Sequence, residues 1–152
     1  MLTITIPQQN VSDICRPILA SVPQWFGIEE ANQHYLAFED ANLTFVAYED
    51  DKAVGFLSIK QHFPMTAEIY VMAVNSDYHR QGIGKALITD ASEYLRKNGT
   101  QFLQVKTLSP ANTDENYAKT RAFYYCMGFV NLEEFPTLWG KENPALQLIK
   151  SL

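Results

Sequence analysis

Three features of the sequence predict an α/β domain whose strands begin antiparallel. Stretches that alternate apolar and polar residues are interleaved with longer ones whose apolar residues recur every three to four positions. Two of the helical stretches are closed by glycine, at Gly99 and at Gly128, the residue that most easily takes the left-handed turn after a helix. Between Leu43 and Val74, three strand-like stretches follow one another with only turns between them, so each is expected to reverse on the last. The elements run β-α-α-β-β-β-α-β-α-β-β, with no internal repeat, low-complexity tract or linker.

Leu2 to Ile6 alternates and stops at Pro7, which suits a first strand at a sheet edge. Ile14, Ile18, Leu19 and Val22 share one helical face with Asn10 or Ser12 as the cap, and Pro17 is expected to kink or divide that helix. Pro23 to Gly27 puts Trp25 and Phe26 on a short turn, and Ile28 to Phe38 reads as a second helix with Ala31, Tyr35 and Phe38 inward. Leu43 to Tyr48 and Ala53 to Lys60 form a hairpin around Glu49-Asp50-Asp51-Lys52. His62 to Thr66 turns the chain into the strand Glu68 to Val74. A long helix then starts at Gly82 and carries Leu87, Ile88, Ala91 and Leu95 at helical spacing. Phe102 to Leu108 is the next strand, Ser109 to Asn116 a polar loop, and Tyr117 to Met127 the last helix. Strands Phe129 to Phe135 and Ala145 to Lys150 enclose the loop that carries Trp139.

Nearly half of the 152 residues are hydrophobic, enough for one continuous core, so residues 1–152 read as a single domain. No apolar run approaches membrane-span length, and Met1 to Ile6 alternates instead of showing the basic-then-apolar order of a signal peptide. The expectation is a cytoplasmic protein with no membrane partner. Seventeen acidic residues against twelve Lys and Arg leave a net charge of −5, with no basic stripe to neutralise a nucleic-acid backbone. An acidic surface instead favours the approach of a cationic amine. Cys15 and Cys126 form no disulfide framework and have no metal-ligand spacing, so both read as reduced thiols in or near the core.

The stretch His79-Arg80-Gln81-Gly82-Ile83-Gly84-Lys85 carries the chemistry. Two glycines at the start of a helix leave backbone N–H groups uncovered where the helix dipole is positive, which makes a cradle for phosphate. A Walker A loop needs glycine at position 79 and Ser or Thr at 86, where the chain has His79 and Ala86. A dinucleotide fingerprint needs glycine in place of Leu87. What the stretch resembles is the acyl-CoA signature of the GNAT N-acetyltransferases, Gln/Arg-x-x-Gly-x-Gly/Ala after a strand, with His79 as a departure at its first place. Ala122-Phe123-Tyr124-Tyr125-Cys126-Met127-Gly128-Phe129 resembles the same family's Phe/Leu-Tyr-x-x-x-Gly-Phe ending, and the likeness runs from about Phe45 to the C-terminus.

That resemblance implies a mixed, largely antiparallel central sheet of about seven strands, flanked by four helices and splayed between the fourth and fifth strands. It implies that residues 79–85 hold the pyrophosphate of acetyl-CoA, a cosubstrate used without a metal. A main-chain N–H within Met72, Ala73 and Val74 would meet the charge that grows on the thioester oxygen. Tyr124 would act as general acid toward the thiolate, and Tyr117 and Thr120, where many members carry Asn and Ala, would line the cofactor groove. An alkyl amine with a pKa of about 10.4 must lose a proton before attack, at a cost of roughly 4 to 5 kcal/mol at pH 7. Glu68, in Ala67-Glu68-Ile69 six residues before Val74, corresponds to the general base of histone-type members, with His62 and His34 as weaker candidates. Trp25, Phe26 and Trp139 fall where the family selects its acceptor. Each residue also has a plain reading: Glu68 paired with a lysine at a strand end, Tyr124 as a packed ring, the other aromatics as anchors. The functional expectation is direct acetyl transfer to a primary amine, of a small molecule rather than a protein, by a monomer or homodimer. The alternative is a GNAT-like domain that binds acyl-CoA for regulation or interaction without catalysis.

Overall fold

The computed structural model describes residues 1–27 and 29–152, with the backbone alone for 38–41. Its elements are β1 (Leu2–Thr5), α1 (Val11–Ala20), α2 (Pro23–Phe26), α3 (Glu29–Ala41), β2 (Leu43–Glu49), β3 (Lys52–Phe63) and β4 (Thr66–Val74). A 3-10 turn over Ser76–Tyr78 leads into α4 (Ile83–Lys97), followed by β5 (Phe102–Leu108), α5 (Glu115–Cys126), β6 (Val130–Phe135) and β7 (Ala145–Ser151). The seven strands form one mixed sheet in the order β1-β2-β3-β4-β5-β7-β6. β4 and β5 are parallel and pair from Thr66↔Phe102 to Ile69↔Val105.

Several boundaries moved, each for a local reason. α1 is not divided by Pro17: the proline sits on the exposed side, and the buried Val11, Cys15, Ile18 and Leu19 hold the opposite face through the missing hydrogen bond. The turn at residues 23–27 winds into the single-turn α2, with Pro23 at a position where a helix needs no N–H. The hairpin turn contracts to Asp50-Asp51, because Asp50 adopts φ 52 and lets Glu49 pair with Lys52. β3 and β4 are longer than expected and leave only Pro64-Met65 between them. α5 starts two residues early because the Asp114 carboxylate accepts from the N–H groups of Asn116 (2.8 Å) and Tyr117 (3.4 Å). Gly99 and Gly128 close their helices at φ 93 and 94 as expected. Cys15 is buried, but Cys126 is exposed rather than part of a core. Ile28 as a helix start and the inward Phe38 side chain lie outside the described residues.

The chain divides into two compact units, Met1–Lys60 with Tyr70–Tyr94 and Gln61–Ile69 with Leu95–Leu152. In the first, Val11, Cys15, Ile18, Leu19, Val22 and Leu36 pack with Val46, Phe56, Val71 and Ala73 of the strands. α4 approaches closely over Gly55, where an added Cβ would stand 3.0 Å from Ile83 Cγ2 and 3.3 Å from Leu87 Cδ1 and would push these side chains outward. In the second, β5 pairs with β7 from Phe102↔Ser151 to Leu108↔Ala145, and β6 closes the order beside β7. Leu103, Val105, Leu146 and Leu148 are buried there together with Tyr124 and Phe129. Among the described residues no helix is long and apolar enough to cross a membrane.

Candidate functional site

The loop after β4 is held from both sides. The Asn75 N–H donates to the Val54 carbonyl (2.8 Å), and the Asn75 side chain accepts from the Asp77 N–H (3.0 Å). His79, the departure from the expected motif, has Nε2 at 2.8 Å from the Val74 carbonyl oxygen and its ring edge-on to Trp25, with centroids 6.1 Å apart. A carbonyl can only accept, so that nitrogen carries the hydrogen. Arg80 and Gly82 then take left-handed backbone at φ 64 and 79. A Cβ at Gly82 would meet nothing within 4 Å, so glycine is there for the backbone turn and not for a close contact. Among the described residues no hydrogen bond engages the N–H groups of residues 80–85, and the Ala86 N–H is the first to bond, to the Gly82 carbonyl at 3.0 Å. Exposed Arg80, Gln81 and Lys85 flank these free donors at the positive end of a 15-residue helix, an arrangement made for an anion.

Along β4, Tyr70, Met72 and Val74 are half-buried while Val71 and Ala73 between them are buried, so the even-numbered residues form the open face. Glu68 lies on that face, 7 % exposed. Its Oε1 is 2.7 Å from His62 Nε2 and its Oε2 accepts from Lys106 Nζ at 2.9 Å. A carboxylate this enclosed costs several kcal/mol unless it is paired, and two neighbours offset that cost. The lysine pairing foreseen for Glu68 is therefore present, and the histidine is an addition. Lys106 stands two residues beyond Gln104, the register partner of Glu68, so it falls on the same face of β5. Gln104 in turn accepts a hydrogen bond from the Gln147 amide. His34 is exposed on α3 and takes no part.

α5 turns Tyr117, Thr120, Arg121 and Tyr124 to one face, at spacings of three, four and seven residues; Arg121 and Tyr124 are buried and the other two half-buried. Thr120 Oγ1 donates to the Asn116 carbonyl (3.2 Å). Arg121, missed in the sequence although it lies one turn before Tyr124, donates to the Leu108 carbonyl at 2.7 Å and ties α5 to the end of β5. The Tyr124 ring meets Phe129 edge-on and Phe123 at a tilt, each at 5.5 Å. Burial pushes the pKa of its phenol up, so the hydroxyl stays neutral across the physiological range. Among the described residues that hydroxyl has no hydrogen-bond partner, which leaves its proton free to be given.

Of the acceptor candidates, Trp25 contacts His79, and Phe26 begins a row of edge-to-face rings with Tyr35 (5.8 Å) and Tyr70 (5.9 Å). Lys60 Nζ stands 6.0 Å from the centre of the Tyr70 ring. The sequence marks Tyr35 only as an inward helix position and Tyr70 only as a strand residue. Trp139 is 45 % exposed in the loop between β6 and β7, within the second unit.

Residues 13–129 match the sequence model of the Acetyltransferase (GNAT) family. No curated protein matches the chain. Among solved structures, the chain is similar to a GNAT-family protein from Desulfovibrio desulfuricans, with 18 % identity over 99 % of each chain and a TM-score of 0.88. It is also similar to the ribosomal-protein-S18-alanine N-acetyltransferase from Escherichia coli, with 20 % identity over 99 % of this chain and 94 % of that one and a TM-score of 0.79. A third is a GNAT family acetyltransferase from Elizabethkingia anophelis crystallised with acetyl-CoA bound, with 17 % identity over 99 % of this chain and 98 % of that one and a TM-score of 0.78.

Proposed function

The chain belongs to the acetyltransferase (GNAT) family, and on that premise we propose that it transfers the acetyl group of acetyl-CoA directly to a primary amine of a small molecule. The observation that carries this reading is the run of free backbone N–H groups at residues 80–85, flanked by Arg80 and Lys85. They suit a diphosphate in number, charge and exposure, and nothing in the loop fills the space above Gly82. The structural neighbour with bound acetyl-CoA supports the choice of cosubstrate. The half-buried row Phe26, Tyr35 and Tyr70 and the acidic charge of the chain support an amine acceptor.

In this reading His79 to Lys85 bind the diphosphate, and Tyr117 and Thr120 line the groove for the rest of the cosubstrate. Acetyl-CoA supplies an activated acetyl thioester. A main-chain N–H among Met72, Ala73 and Val74 stabilises the carbonyl oxygen as charge develops on it. The hydrogen-bonded pair of Glu68 and His62 draws the proton from the amine, directly or through water, and neutral Tyr124 gives its own to the departing sulfur. Trp25, Phe26 and Trp139 select the acceptor, and the protein works in the cytoplasm as a monomer or homodimer.

The first test is titration with coenzyme A and acetyl-CoA. Heat should be released and the melting temperature should rise, with a gain of about 2.7 kcal/mol when ligand stands at a hundred times its Kd. Neither heat nor a rise would sink the proposal. Thiol release in the presence of spermidine, kanamycin, lysine or a short peptide then separates a small amine from a peptide acceptor. Tyr124→Phe should lower kcat by about 10² or more, and an unchanged rate removes its acid role.

A further inference from the structure

Resting on the acetyl-transfer reading, we propose that the amine's proton is taken by Nδ1 of His62, with Glu68 and Lys106 as positioning residues behind it. Both oxygens of Glu68 are already engaged, one by His62 Nε2 at 2.7 Å and the other by Lys106 Nζ at 2.9 Å. The Glu68 side chain is 9 % exposed and that of His62 29 %. The Lys106 side chain is 25 % exposed, but as an ammonium it only donates, so the acceptor that an incoming amine or a water can reach is the imidazole.

The same contacts decide which ring nitrogen is free. Beside the Lys106 ammonium, Glu68 is a carboxylate, and a carboxylate only accepts hydrogen bonds. Nε2 of His62 must then carry the hydrogen, which leaves the lone pair of the neutral ring on Nδ1. Glu68 plays the part of a triad carboxylate: it fixes the tautomer and orientation of the imidazole and stabilises the cation formed when Nδ1 takes a proton. Lys106 occupies the second oxygen, so both oxygens are engaged and the carboxylate holds the ring without taking the proton itself. The other charged group on this face of β3 is Lys60, two residues before His62 and set over Tyr70 of β4.

As the lone pair of the neutral amine forms the bond to the acetyl carbon, the carbon–sulfur bond breaks. The N–H proton passes to His62 Nδ1 and the sulfur takes the Tyr124 proton. The imidazolium then loses its proton to solvent and the phenolate regains one, leaving an amide and a free thiol.

The experiment has two arms on the full chain. Nitrogen-15 NMR of the unliganded protein should show His62 with hydrogen on Nε2 when neutral, a preference lost in Glu68→Leu. A ring with hydrogen mainly on Nδ1 overturns the proposal. In the second arm, with acetyl-CoA and an amine that the wild type acetylates, His62→Gln should lose about 10²-fold in kcat with the KM for acetyl-CoA unchanged. The acid limb of kcat/KM against pH should vanish in His62→Gln and persist in Glu68→Gln. His62→Asn, with melting temperatures for each variant, separates loss of the base from loss of the fold. Turnover kept in His62→Gln, or an acid limb that disappears with Glu68→Gln alone, overturns this proposal and leaves acetyl transfer standing. Failure of the wild type to acetylate any amine overturns both.

Discussion

The Tyr124 phenol is kept neutral by its surroundings, and that has a measurable consequence apart from catalysis. Its pKa is raised in the folded chain by burial, so its contribution to stability is complete below about pH 10 and is lost as the pH climbs beyond that value, by at most about 1.4 kcal/mol per pH unit for one group. Tyr35, raised by burial and then by Tyr70, adds to the same alkaline slope. Urea midpoints measured from pH 8 to pH 11 should therefore fall above pH 10, and less steeply in Tyr124→Phe; an identical slope in the variant contradicts the burial argument. The place of Tyr124 in the last turn of α5 was legible in the sequence because its signal is local, a tyrosine four residues before a glycine that closes a helix. The pairing of Glu68 was legible only in outline. A lysine partner was foreseen, but neither that it would be Lys106 nor that His62 would hold the other oxygen, since their sequence separations of 38 and 6 residues predict no contact.

Helices and strands kept the order read from periodicity, and the misplaced ends trace to side chains that act over one or two residues. Asp114 extends α5 toward its start by accepting two backbone N–H groups, and Asp50 shortens the hairpin by taking a left-handed conformation. Pro17 is the opposite case, a local preference overridden by packing. With Cys15, Ile18 and Leu19 buried on one side of α1, the helix tolerates a residue that in an exposed helix interior costs about 3 kcal/mol. Pro17→Ala, on the exposed side, restores an N–H toward the Asp13 carbonyl. It should stabilise the protein by roughly 1 to 3 kcal/mol, seen as a higher melting temperature; a lower one would show that the ring itself is needed.

At the scale of the whole chain, a net charge of −5 acts in opposite senses on the two proposed substrates. A cationic amine is drawn in and an anionic cosubstrate repelled, and both effects fade as the Debye length shrinks from about 30 Å at 0.01 M salt to about 8 Å at 0.15 M. Over that range kcat/KM for the amine should fall several-fold at saturating acetyl-CoA, while that for acetyl-CoA falls less or rises; a fall for acetyl-CoA with none for the amine would place the governing charge at the loop cations Arg80 and Lys85 instead. Composition, the spacing of apolar residues and the two glycine motifs, each readable within a dozen residues, were enough by themselves to determine the order of elements, the family and the glycine turn before α4. Only tertiary structure decided that His62, Glu68 and Lys106 share one face, that Arg121 reaches the end of β5, and that Phe26, Tyr35 and Tyr70 stand in a row. The reason is physical: a helix or turn is stabilised by neighbours in sequence, whereas the partner of a buried side chain depends on strand register and helix packing, which many weak and distant contacts settle together.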